Sequence, residues 1–71
     1  MKLWIARDKT GYLSLYAKKP VWRYSNTFKY EDWFDGEFLT LINSKSFPEI
    51  TYENSPQQVE LKLINKDLKY V

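Results

Sequence analysis

"EDWFDGE", residues 31–37, brings four carboxylates, Glu31, Asp32, Asp35 and Glu37, into seven positions. Hard cations such as Ca²⁺ and Mg²⁺ take oxygen ligands of this kind. The spacing does not match an EF-hand loop, and Asp35-Gly36 already reads as a turn. A solvated acidic turn is therefore expected here, with no metal. "KKPVWRY", residues 18–24, interleaves Lys18, Lys19 and Arg23 with Trp22 and Tyr24. A basic groove with aromatic platforms is the chemistry of single-stranded nucleic-acid binding. No cold-shock or RRM-like aromatic motif accompanies it. The same residue types are also enriched at protein interfaces.

Catalytic chemistry has little to build on. The chain holds no histidine and no cysteine. The usual general base near neutral pH, the commonest zinc ligand and the thiolate nucleophile are all missing. The two glycines, Gly11 and Gly36, both read as turn residues, so there is no Gly-rich phosphate loop. A non-enzymatic protein without a cofactor is expected.

Residues around such surfaces must be positioned by a small scaffold. Seventy-one residues make one domain, 1–71. A domain of this size buries only about 60% of the surface its unfolded chain exposes. Aromatics make up 18% of the residues, so a few large rings are expected to supply most of the core. No apolar run approaches the ~20 residues of a membrane span, and the apolar run of "MKLWIARDK" is too short for a signal peptide. A cytoplasmic location is expected.

Net charge is +2, but it is segregated. Residues 1–29 carry seven Lys/Arg against one acid, Asp8. Residues 30–60 carry seven acids against one base, Lys45. Either the halves neutralise each other across the fold, or a basic face meets an anionic partner.

Alternation of apolar and polar residues dictates strands. "KLWIARD" and "YLSLYAK" flank "KTG", which reads as a three-residue loop with Gly11 in the left-handed region. That loop pairs Ile5 with Leu15 and Trp4 with Tyr16. Leu3, Ile5, Leu13, Leu15 and Ala17 then share one face, and a one-residue slip would mix apolar and polar positions. Lys2, Trp4, Ala6, Ser14, Tyr16 and Lys18 share the other. Lys2 would face Lys18, a like-charge pair. Either residues 30–37 cover and neutralise this second face, which is favoured, or it meets an acidic partner.

Pro20 ends the second strand, and "VWRY" reads as a short third. "SNTFKYEDWF" fits a strand better than a helical turn capped by Asn26 or Thr27. Asp35-Gly36 then predicts a two-residue hairpin turn pairing Trp33 with Phe38 and Tyr30 with Leu41. "EFLTLI" is the next strand.

"FPEITYENSPQQVELKL", residues 47–63, predicts a short extended segment "EITYE", a corner at "ENSPQQ" and a closing strand. Ser55-Pro56 with Gln58 also matches a helix start. A helix there would split its apolar residues between opposite sides, whereas a strand lines Val59, Leu61 and Leu63 on one face. Phe47 and Tyr52 are expected to anchor the corner in the core. The pattern is an all-β antiparallel meander of five to six short strands, a curled sheet or small barrel.

The opening "MKLWIARDKTGYLSLYAKKP" and the closing "FPEITYENSPQQVELKLI" together resemble short uncharacterised proteins of Bacteroides-type gut bacteria and of their phages and mobile elements. The similarity covers about half the chain, at its two ends. No activity or catalytic residue belongs to that family. The resemblance implies only a small intracellular accessory protein of phage type; the surface Trp, Tyr and Arg favour one that binds another protein. Residues for that contact are Lys2, Trp4, Tyr16, Lys18, Trp22, Arg23 and Tyr24, with single-stranded nucleic acid as the alternative partner.

Overall fold

The computed structural model describes residues 1–60. In them the chain forms six short strands and no helix: β1 Lys2–Arg7, β2 Leu13–Tyr16, β3 Val21–Ser25, β4 Tyr30–Phe34, β5 Phe38–Ile42 and β6 Gln57–Glu60. All pairings are antiparallel. The strands make a small all-β domain of two open sheets, a four-stranded sheet in the order β5-β2-β1-β6 and a β3–β4 ribbon.

The first hairpin has the expected register, with Trp4 opposite Tyr16 and Ile5 opposite Leu15. Gly11 has φ 102°. Asp8 N donates to Tyr12 O at 2.9 Å, and Gly11 N donates to Asp8 O at 3.1 Å. The Asp8 Oδ1 accepts from Thr10 N at 2.9 Å and Tyr12 N at 3.0 Å, fixing the loop from its side chain. A β-branched residue fits positive φ poorly. Gly11→Val is therefore expected to lose on the order of 1 kcal/mol in urea unfolding. An unchanged midpoint would count against the turn.

The expected Asp35-Gly36 hairpin does not form. β4 pairs with β3, placing Trp33 opposite Trp22, and β5 pairs with β2, placing Phe38 opposite Tyr16. Trp33 therefore does not face Phe38, nor Tyr30 Leu41. The reason lies at Gly36, whose role is close approach. A Cβ there would sit 2.8 Å from Pro20 Cβ and 2.9 Å from Lys18 O. Lys18 N donates to Gly36 O at 2.8 Å and Ala17 N to Glu37 O at 3.0 Å. Those bonds carry the chain across the end of β2 instead of back along β4.

The ribbon's own turn uses the preceding residues. Ser25 Oγ accepts from Phe28 N at 3.0 Å and Ser25 O from Lys29 N at 2.7 Å. Residues 26–29 are thus a tight turn and 30–34 a strand, with Ser25 in the capping role considered for Asn26 or Thr27.

Both faces of the four-stranded sheet are packed. On one, Ile5 and Leu13 are buried with Ile50, flanked by Leu15, Ile42 and Val59. On the other, Ala6 and Tyr16 are buried with Trp33, flanked by Trp4, Trp22 and Tyr52.

The corner differs from expectation in two respects. "EITYE" is not extended. It lies within two successive turns, closed by Ile50 N to Phe47 O at 2.9 Å and Ser55 N to Tyr52 O at 3.2 Å. Phe47 is not an anchor, being 51% exposed; Ile50, at 5%, is buried instead. Tyr52 is half-buried, 4.7 Å from the Trp22 ring.

Arg7 explains the arrangement. It lies in phase with the apolar face of β1, and its guanidinium donates to five backbone carbonyls: Ile50 O at 2.6 Å, Gly11 O at 2.8 Å, Ser44 O at 2.9 Å, Ser46 O at 3.1 Å and Phe47 O at 3.2 Å. Turning those carbonyls inward rolls residues 44–50 around the arginine, and Phe47, at φ 52°, points outward. Ser55 does not cap a helix. Its Oγ accepts from Arg7 N at 2.9 Å, and the chain continues as β6. Val59 lies opposite Leu3 on β1; Leu61 and Leu63 lie outside the described residues.

Candidate functional site

Segregation of charge along the chain resolves into three ion pairs. Lys18 Nζ lies 2.9 Å from Glu37, Arg23 Nε 3.2 Å from Asp35, and Lys9 Nζ 3.4 Å from Glu31. Each joins a base of residues 1–29 to an acid of residues 31–37. All are solvent-exposed, so each contributes little to stability. Their effect is on surface potential: acids of residues 31–37 offset three of the seven bases of residues 1–29. Among the described residues no group of three acids comes together as a metal site.

The seven residues expected at a partner surface do not form one patch. Tyr16 is buried and Trp4 half-buried, with Lys19 Nζ 5.5 Å from the Trp4 ring. Trp22 is half-buried, edge-on to Trp33 at 5.3 Å. The β1–β2 ladder ends at the Trp4–Tyr16 pair, Lys2 lies opposite Glu60 on β6, and Lys18 bonds to residues 36 and 37, so the expected Lys2–Lys18 pair is not part of the ladder. Lys18, Arg23 and Tyr24 are exposed. The second face of the first hairpin is covered from residues 30–37, by Trp33 and by the Glu37 bridge to Lys18.

An exposed apolar surface lies elsewhere among the described residues, around a cleft of about 520 Å³ between the ribbon and the four-stranded sheet. Tyr30 and Phe34 of β4 line one side; Tyr16, Phe38 and Leu41 of β2 and β5 line the other. Phe38 and Leu41 are three residues apart, which regular alternation would send to opposite faces. A bulge at Leu39 corrects the phase. Thr40 faces Leu15 and Phe38 faces Tyr16, leaving Leu39 as the additional residue. Bulges re-aim side chains in this way. Phe38 then meets Tyr16 edge-on at 6.1 Å. Beside the cleft, Phe28, Tyr30 and Phe34 cluster with centroids 5.9–6.3 Å apart.

These side chains remain open to solvent. Phe28 is 63% exposed, Tyr30 49%, Phe38 58% and Leu41 60%. Strand β5 also forms an edge of its sheet, and Phe38–Ile42 carries no charge. Sequence reasoning assigned such aromatics to the core and so missed this surface. The available signal was an excess: thirteen rings in 71 residues are more than one small core can enclose.

The cleft is acidic at its margin. Asp8 and Asp32 line it, and neither takes part in an ion pair among the described residues. The Oδ1 of Asp32 accepts from Trp33 N at 2.8 Å, and that of Asp8 serves the hairpin loop. Burial raises the pKa of the Tyr16 hydroxyl above its ordinary value. Its hydrogen bond with Ser14 opposes that shift, and the charges of Asp32 and Asp8 add to it.

No family model, curated protein or solved structure matches the chain.

Proposed function

We propose that this chain is a non-enzymatic protein-binding module whose docking surface is the aromatic cleft and the adjoining edge of β5. One observation carries the reading: large apolar side chains stay exposed around a preformed cleft beside an uncharged strand edge. Contiguous exposed apolar surface of this kind marks interaction sites. Open edges accept an added strand, whose backbone supplies affinity while neighbouring pockets supply specificity. In this reading the module is a cytoplasmic accessory factor acting on a host protein.

Single-stranded nucleic acid is the second reading, resting on Trp22, Arg23 and Tyr24. Against it, Arg23 and Lys18 are bridged to carboxylates. The hollow beside Trp22 and Tyr24 is lined by Asp8, Glu31 and Asp32 with a single base, Lys9.

The test is capture from host lysate with the parent and with Phe38→Gln/Leu41→Gln, each with and without nuclease. The double variant is expected to keep its melting temperature within the small range typical of surface changes, about 0.5 kcal/mol per site. It is expected to lose the captured protein. Capture should survive nuclease and decline only mildly between low and physiological salt, because phosphate-driven binding falls steeply with salt. Retained capture by the double variant, or capture abolished by nuclease, would overturn the reading.

A further inference from the structure

The cleft has two properties that belong together. Its walls are aromatic, with Tyr16, Tyr30, Phe34 and Phe38 around one space. Its polar margin carries Asp8 and Asp32, and no Lys or Arg lines it. Elsewhere the described chain pairs the acids around this region with bases: Glu31 with Lys9, Asp35 with Arg23 and Glu37 with Lys18. Asp8 and Asp32 are passed over. Each commits Oδ1 to local hydrogen bonds and leaves Oδ2 without a donor among the described residues.

A neutral apolar group would satisfy the rings and leave two carboxylates facing a space emptied of water. An anion would be repelled. A cation on an apolar stem satisfies both features. Arginine suits them best, because its planar guanidinium stacks on aromatic faces and donates in a fork that matches a carboxylate. The chain already makes this contact once within itself. Arg23 lies 4.6 Å over the Phe34 ring while its Nε and Nη2 donate to the two Asp35 oxygens at 3.2 and 3.3 Å.

We propose that the cleft between the β3–β4 ribbon and the β2–β5 edge is a recognition site for an arginine side chain of the protein partner, held between aromatic walls and the Asp8 and Asp32 carboxylates. This rests on the protein-binding reading and names the chemistry its partner must present. A segment added along β5 would bring its side chains to the mouth of the cleft, so one arginine beside an extended apolar stretch is the feature to seek.

The experiment is an NMR titration with N-acetyl-arginine N′-methylamide, following the aromatic resonances of Tyr16, Tyr30, Phe34 and Phe38. The neutral citrulline analogue and the corresponding lysine amide are run beside it. Saturable shifts confined to these rings are expected with the arginine probe, with affinity at least about ten-fold above citrulline, the scale of a charge-assisted hydrogen bond. The lysine probe should bind more weakly than arginine. Asp32→Asn should weaken arginine binding by about ten-fold and leave citrulline unaffected. Equal binding of arginine and citrulline would overturn the charged recognition while leaving an aromatic docking surface. Equal binding of arginine and lysine would overturn the assignment to arginine. No shift with any probe would overturn the site itself, and the Phe38→Gln/Leu41→Gln capture result would still decide, independently, whether the surface binds a protein.

Discussion

Trp33→Ala is expected to leave no cooperative unfolding transition at room temperature. Trp33 is 9% exposed and packs against Ala6 and Tyr16 on the sheet. Trp22 lies edge-on at 5.3 Å and Tyr52 at 6.2 Å. Its indole Nε1 donates to Arg7 O at 3.0 Å. This one side chain therefore fixes the ribbon to the sheet and the corner to both. Truncating a buried tryptophan costs roughly 3–5 kcal/mol, and a domain of this length has a total stability of only about 3–5 kcal/mol. Trp33→Phe separates packing from hydrogen bonding. It should fold, with a lowered midpoint, because a ring still fills the space but Arg7 O loses its donor. A Trp33→Ala variant melting within about 1 kcal/mol of the parent would show that the ribbon is not held by this contact.

Arg7→Met is the second large effect expected. Methionine keeps an unbranched apolar stem on β1 and removes every guanidinium donor. Three of the five carbonyls released, those of Gly11, Ser46 and Ile50, are bonded in partly buried surroundings. An unsatisfied buried polar group costs about 1–3 kcal/mol; since water reaches some of these carbonyls, a total on the order of 3 kcal/mol is expected. Arg7→Lys should recover only part of it, because an ammonium is a point donor and cannot reproduce a fork spanning five acceptors. Chemical denaturation of the three proteins measures the series. Full recovery by lysine would mean that charge, and not the fork, organises residues 44–50.

The first hairpin was legible because everything that determines it is local. Alternation in β1 and β2, a loop ending in glycine and the burial of one face leave one acceptable register. The closing strand was legible at its start, Gln57–Glu60, where Val59 faces Leu3; its expected continuation through Leu61 and Leu63 lies outside the described residues. Partners of β4 and β5 were not. Asp35-Gly36 has the residues of a hairpin turn, but the glycine answers a non-local demand, the close approach of Pro20 and the Lys18 carbonyl. Phe47 was misplaced because an aromatic beside a proline reads as an anchor, while the force on that segment comes from Arg7, some forty residues earlier. Arg7 did leave a trace: it is a charged residue at an inward position of an alternating strand. The cleft depends on one unpaired residue, Leu39, and period-two reasoning places Phe38 and Leu41 on opposite faces.

Strand order has a consequence for how the domain comes together. β1 and β2 are the inner pair of the four-stranded sheet, joined by the shortest connection between any two paired strands of that sheet, while β5 and β6 lie outside them. Closing a short loop carries the smallest entropy penalty, so this hairpin is the natural nucleus and offers a free edge on each side. β5 adds to one edge and β6 to the other, with no ladder between them. Either can detach without the other. Protection against amide hydrogen exchange should therefore fall outward from the inner hairpin in two independent steps. The proposed partner would dock on the outer edge of β5 itself, so a bound partner would slow exchange in β5 and leave β6 as it was.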